Sequence, residues 1–187
     1  DSAQEQINKS LIALNNLSRI GFQIILTYPN NDAGGKAIIE KLNDMKSKSN
    51  NLVQLHRSLG RYLYHGVLAL SKNLNNKVVC VGNSSSGIKE TPVFGCPTVN
   101  IGSRQLGRLK GQNVIDVEYN SELIFNAIVR CVEDHDFRNI CAKTDNPYYM
   151  GDAGKKIANI IAKTPINGDL LRKKMNLLGQ VRDGWFQ

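Results

Sequence analysis

The sequence is short of the residues that the commonest catalytic and metal chemistries require. It holds three histidines, His56, His65 and His135, too scattered to argue a metal site and each read as a surface or core residue. Its four cysteines, Cys80, Cys96, Cys131 and Cys141, show neither CxxC nor zinc-ligand spacing. Three of them sit in apolar segments, so they read as reduced core cysteines of a cytoplasmic protein. Aromatic residues make up only 6% of the chain and are not interleaved with basic ones, which argues against nucleic-acid binding despite a net charge of +8. No apolar run approaches the ~20 residues of a membrane span, no signal-peptide pattern opens the chain, and no internal repeat is present. What remains is the composition of an ordinary globular domain. Its 187 residues, 41% hydrophobic and 21% charged, suffice for one well-buried core. The positive charge then points to an anionic ligand or an acidic partner. Its one compact cluster, Arg172-Lys173-Lys174, lies in a basic tail spanning residues 165–187.

The most informative stretch is Val78-Val-Cys-Val-Gly-Asn-Ser-Ser-Ser-Gly-Ile-Lys-Glu90. Its apolar opening reads as a buried strand that turns at Gly82-Asn83. Ser84, Ser85 and Ser86 follow with hydroxyls and backbone N–H groups, and Gly87 lets a ligand or another backbone come close. A helix is expected from Ser86 or Gly87 to about Phe94. Strand, small polar loop and helix start make an anion site. Glu90, in the expected helix's first turn, could accept hydrogen bonds from two adjacent ligand hydroxyls. Two better-known motifs fail here. Gly82 to Gly87 has P-loop spacing, but Ile88 stands where the lysine must be. A nucleophile elbow would need glycine at Ser86.

The rest of the chain alternates helical and strand patterns. Ser2 and Glu5 fit a capping box for a first helix, whose face carries Ile7, Leu11, Leu14 and Leu17. Residues 22–28 read as a strand, and Asp32 as the cap of a helix through Ile38, Ile39, Leu42 and Met45. That unit puts Asn30 at a strand's C-terminal end, the edge at which open α/β sheets bind ligands. Further strands are expected at 52–55, 98–101 and 113–117. Further helices are expected at 62–70, at 121–133 capped by Ser121, and after Asp152 with Ile157, Ile160 and Ile161. Arg104 follows its strand at once and projects from the same edge as Ser84, where a guanidinium could pair with phosphate. Arg108 and Lys110 read as solvated charges. The pattern predicts a parallel sheet covered by helices on both faces. The opening helix has no strand before it, which predicts one upstream of Asp1.

Four motifs carry a resemblance to a known family: Thr27-Tyr-Pro-Asn-Asn-Asp-Ala-Gly34, Gly82-Asn-Ser-Ser-Ser-Gly-Ile-Lys-Glu90, Phe94-Gly-Cys-Pro-Thr-Val-Asn-Ile-Gly-Ser-Arg-Gln-Leu-Gly-Arg108 and Asn146-Pro-Tyr-Tyr-Met-Gly-Asp152. In this order they make the chain similar to the C-terminal lobe of the hydrolysing UDP-N-acetylglucosamine 2-epimerases of the sialic-acid pathway. The resemblance implies the second Rossmann-like domain of a GT-B fold, residues 1–187 forming a UDP-binding lobe. By similarity Ser84 and Ser85 hold the diphosphate, with Ser86 and Gly87 beside them, and Glu90 takes both ribose hydroxyls. Arg104 and Asn30 match positions lining the UDP site, and Lys36 matches a feedback position of the animal enzyme. The family needs no cofactor or metal, the UDP-sugar being the substrate. It eliminates UDP to a glycal and adds water to give N-acetylmannosamine, with catalytic carboxylates in an N-terminal domain. No catalytic residue is therefore expected here, and the isolated chain is expected to be inactive. Its expected partners are that N-terminal lobe and, at full length, further copies of itself. The chain departs from the family pattern around Tyr64 to Lys77, which is longer, and at Tyr149 or Met150, an insertion. A GT-B glycosyltransferase or epimerase for another UDP-sugar, or a non-catalytic nucleotide-binding module, are the competing readings.

Overall fold

A computed structural model describes residues 3–29, 34–49, 51–168, 170, 181–182 and 185–186. They fall into two units, Asp1–Tyr149 and Met150–Gln187.

Helix α1 (Ala3–Arg19) buries Ala13 and Leu17 and half-buries Leu11 and Leu14. It stops because Gly21 takes φ +96 and the amides of Gly21 and Phe22 close back on Ser18 and Leu17. Strands β1 (Ile24–Thr27) and β2 (Val53–His56) pair in parallel, with Ile24 beside Val53 and Thr27 beside His56. Helix α2 (Gly35–Lys48) lays Leu42 and Met45 against Ile24, Leu26 and Val53. Its cap is Gly34, not Asp32, which lies with Asn30 and Ser2 outside the described residues.

Helix α3 (Gly60–Ala69), tightened into a 3-10 turn over Leu70–Lys72, leads to a second parallel group. Strand β4 (Thr98–Ile101) runs between β3 (Cys80–Gly82) and β5 (Val114–Val117). All its residues are buried, as expected of a parallel strand covered on both faces. One face carries Val99 and Ile101 onto Ala13 and Leu17 of α1 and Ile124, Ala127, Ile128 and Cys131 of α5 (Ser121–Glu133). Each fully buried aliphatic side chain there contributes roughly 1.5–3 kcal/mol. The other face carries the short helix α4 (Ser86–Lys89). Leu14 packs against both clusters, so α1 ties the two strand groups together.

The expected strands and long helices form within a residue or two, and the fold is α/β and Rossmann-like. Four local expectations change. The helix from Ser86 to Phe94 breaks after Lys89, because Pro92 cannot donate to its ladder. The Thr91 hydroxyl takes the Gly87 carbonyl at 2.6 Å instead, and a 3-10 turn (Thr91–Phe94) follows. Asn120, not Ser121, caps α5, its side chain accepting from the amides of Glu122 and Leu123. Helix α6 (His135–Ala142) was not anticipated, its start marked by Asp134 accepting from the Phe137 amide. Asp152 precedes the next helix in a left-handed conformation, φ 47, and makes no side-chain cap bond.

In the second unit, helix α7 (Ala153–Lys163) leaves Ile157, Ile160 and Ile161 exposed. Strands β6 (Val181–Arg182) and β7 (Trp185–Phe186) form an antiparallel pair. The Arg172-Lys173-Lys174 cluster lies outside the described residues.

Candidate functional site

Three loops meet at the C-terminal ends of β3 and β4. The first runs from Gly82, φ 147, through Asn83, Ser84 and Ser85 into α4. Because α4 is one turn long, the donors it offers are the local N–H and hydroxyl groups rather than a long helix's dipole. Ser84 is exposed, and its Oγ accepts from the Ser86 hydroxyl at 3.0 Å. The Ser86 Oγ in turn accepts from the Tyr64 phenol of α3 at 3.2 Å. Burial holds the Tyr64 phenol well above its ordinary pKa, so it remains a donor. Ser85 occupies the cap position without making a capping bond. Gly87 is buried, and a Cβ there would meet the Thr98 methyl at 3.2 Å. It serves close packing of α4 on β4.

The second loop starts at Gly102, whose φ of +75 and closeness to the Tyr119 ring admit no side chain. Arg104 Nη1 donates to the Asn83 carbonyl at 3.1 Å, and Gln105 Nε2 donates to the same oxygen at 2.8 Å. Two consecutive side chains thus clamp the serine loop from β4. Arg104 is exposed, and a guanidinium has five donors, so most of its fork faces outward. Lys110 instead pairs with Asp116. Arg108 is exposed.

The third loop supplies braces. Asn146 donates to the Lys89 carbonyl at 2.9 Å, and the Tyr148 phenol donates to the Leu109 carbonyl at 2.8 Å. Lys89 lies over the Tyr148 ring, 5.6 Å from its centre. The Asn146-Pro-Tyr motif therefore ties α4 to the Arg104 loop.

Beneath them lies a buried polar network. The Thr91 hydroxyl accepts from Thr98 at 2.9 Å and from Asn113 at 3.0 Å, and Asn113 also donates to the Cys96 carbonyl at 2.8 Å. Thr91, Thr98 and Asn113 are all buried, so α4 and the turn after it are fixed to β4 and β5.

Glu90 stands at the C-cap of α4, not in its first turn. Its Oε2 accepts from His65 Nε2 at 2.6 Å. The carboxylate stays 41% exposed, within reach of a ligand. Neither His65 nor Tyr64 was singled out by sequence. Neither lies in a motif, and their partners are tertiary contacts. Of the expected site residues, the structure gathers Ser84, Ser85, Ser86, Gly87, Glu90 and Arg104 around the β3–β4 edge, and Asn30 lies outside the described residues. The cysteines are free, and burial pushes the thiols of Cys96 and Cys141 up to about 12. Among the described residues no cluster of His, Cys, Asp or Glu could hold a metal, and no helix is long and apolar enough to cross a membrane. A surface groove of about 420 Å³ lies apart from these loops, between Asn16, Arg19 and Ile20 of α1's end and Ser121, Glu122 and Phe125 of α5.

The family model for UDP-N-acetylglucosamine 2-epimerase matches residues 1–162. The chain belongs to that family. A UDP-N-acetylglucosamine 2-epimerase of Neisseria meningitidis serogroup B is 37% identical over 108 residues, 58% of this chain and 26% of that protein. A hydrolysing GDP/UDP-N,N'-diacetylbacillosamine 2-epimerase of Campylobacter jejuni is 37% identical over 119 residues, 64% of this chain and 29% of that protein. A hydrolysing UDP-N,N'-diacetylbacillosamine 2-epimerase of Legionella pneumophila is 30% identical over 151 residues, 81% of this chain and 37% of that protein. In fold, the chain resembles a crystal structure of a Listeria monocytogenes protein assigned as a UDP-N-acetylglucosamine 2-epimerase, with a TM-score of 0.63 and 16% identity over 86% of this chain and 41% of that one. The epimerase-family lobe is thus a GT-B Rossmann-like domain, and its matches span well under half the length of these relatives.

Proposed function

We propose that this chain is the UDP-binding lobe of a hydrolysing UDP-N-acetylglucosamine 2-epimerase. The observation that carries the reading is the clamp of Arg104 and Gln105 on the Asn83 carbonyl, which ties a guanidinium to the residue that opens the serine loop. Glu90 lies at the other end of α4, where ribose hydroxyls would find a carboxylate. In the reaction, C2 of the sugar loses a proton and the C1–O bond to UDP breaks to leave a glycal. Water then adds across the double bond to give N-acetylmannosamine. This lobe's part is electrostatic: charge grows on the departing diphosphate, and donors already in place stabilise it more than the ground state. Proton abstraction and water addition fall to residues of a further domain.

A second substrate is favoured by a specific observation. The Campylobacter and Neisseria relatives are equally similar, and the first is named for diacetylbacillosamine. UDP-N,N'-diacetylbacillosamine is therefore the alternative sugar nucleotide. Incubating the full-length protein with each UDP-sugar and following UDP and the free sugar by NMR separates the two. Release of neither sugar overturns the reading. The 187-residue chain alone should bind UDP at about −4 to −6 kcal/mol, high micromolar to millimolar, and turn nothing over.

A further inference from the structure

We infer that His65 is a positioning residue for ribose recognition: it holds the Glu90 carboxylate in the orientation that receives the two ribose hydroxyls. The inference rests on the reading of Glu90 as the ribose acceptor.

A carboxylate on a rotatable two-carbon stem loses conformational freedom when it binds a ligand, and that loss weakens binding unless the protein has already fixed the group. Among the described residues, His65 is the one side chain that bonds the Glu90 carboxylate. His65 Nε2 takes Oε2 at 2.6 Å, and Oε1 with the second lone pair of Oε2 stays available for two hydroxyls. The imidazole itself has two aromatic neighbours. Its ring centre lies 5.3 Å from that of Phe94, in the 3-10 turn directly after Glu90, and 5.9 Å from that of Tyr64. Lys72 stands over Phe94, 5.8 Å from the ring centre. The histidine therefore packs against the turn that Glu90 begins.

Its neighbour Tyr64 reaches the serine loop through Ser86 and Ser84. Two consecutive residues of α3 thus touch the two parts of the site, the carboxylate and the hydroxyl loop. Helix α3 supplies the support for both.

The test is calorimetry of wild type, His65→Ala, His65→Gln and Glu90→Gln with two probes, UDP and 2',3'-dideoxyuridine diphosphate, circular dichroism checking the fold of each. Wild type should prefer UDP. His65→Ala should weaken UDP about tenfold, the scale of one charge-assisted bond, and leave the dideoxy ligand nearly unchanged. Glutamine places an amide N–H at the reach of Nε2, so His65→Gln should restore most of the UDP preference. If wild type binds both ligands equally, or neither, Glu90 is not a ribose acceptor and both readings fall. If Glu90→Gln loses the preference while His65→Ala keeps it, only the role of His65 is overturned. A loss shared equally by both ligands in a folded His65→Ala, or no rescue by His65→Gln, also overturns it. Should His65→Ala fail to fold, His65→Phe, which keeps a ring but no N–H donor, replaces it: loss of the preference supports the role and its retention contradicts it.

Discussion

The two strand groups of the first unit are built differently. In β3–β4–β5 the central strand is buried throughout, with α1 and α5 on one face and α4 on the other. In β1–β2 burial alternates: Ile24, Leu26 and Val53 face the core while Ile25 is 44% exposed and Gln54 lies open. The polar network of Thr91, Thr98 and Asn113 belongs entirely to the first group. Buried polar groups hydrogen-bonded to one another favour a single arrangement, whereas an apolar layer on one face tolerates adjustment. The serine loop and Arg104 grow from the rigid group.

The largest difference should appear in paired glycine variants. Gly102→Ala, at φ +75, puts a methyl 2.3 Å from the Tyr119 ring and should cost about 2–4 kcal/mol by urea denaturation. Gly21→Ala, at φ +96 with nothing within 4 Å, should cost only about 1 kcal/mol. Equal costs would remove the contrast between a filled and an open surrounding. Next, Asn113→Ala takes the bonds to the Thr91 hydroxyl and the Cys96 carbonyl away and should cost about 1–3 kcal/mol. Gln54→Ala on exposed β2 should stay within about 0.5 kcal/mol. Arg104→Ala should weaken UDP by about 1–2 kcal/mol and uridine hardly at all, since the guanidinium is assigned to phosphate. Arg108→Ala, on the same loop but with its charge in solvent, should change neither.

The smallest effect concerns pH. The Phe137 amide, and after it Arg130, hold the Asp134 carboxyl below its ordinary pKa. A depressed carboxylate stabilises the fold above its unfolded pKa, and the contribution is lost as pH falls through the folded value. Wild type should therefore lose more thermal stability than Asp134→Ala between neutral pH and the carboxylate range. Parallel melting curves would contradict this.

The periodic elements, and the strand, serine loop and helix start of Val78 to Lys89, were legible in the sequence because strand and helix patterns report burial directly. Val99, Ile101, Ile124 and Ile128 are where their pattern puts them. The break after Lys89 was signalled by Pro92 and overridden by reading the serine loop as the start of a longer helix. Helix α6 escaped because it is only eight residues long and follows α5 directly, although Phe137, Ile140 and Cys141 have helical spacing and the buried Arg138 donates to the carbonyls of Leu74 and Asn76. His65 could not be read at all. A partner 25 residues away is a tertiary contact, and nothing local in the spacing announces it.

The central claim is that the β3–β4 edge of the rigid group is the diphosphate and ribose site. Titrating the ¹⁵N-labelled 187-residue chain with UDP and following backbone amide shifts tests it most directly. The account predicts the largest saturable shifts at Ser84, Ser85, Ser86, Glu90 and Arg104, with the amides lining the groove of Arg19 and Phe125 unmoved. Shifts centred on that groove, or none at millimolar UDP, would contradict it.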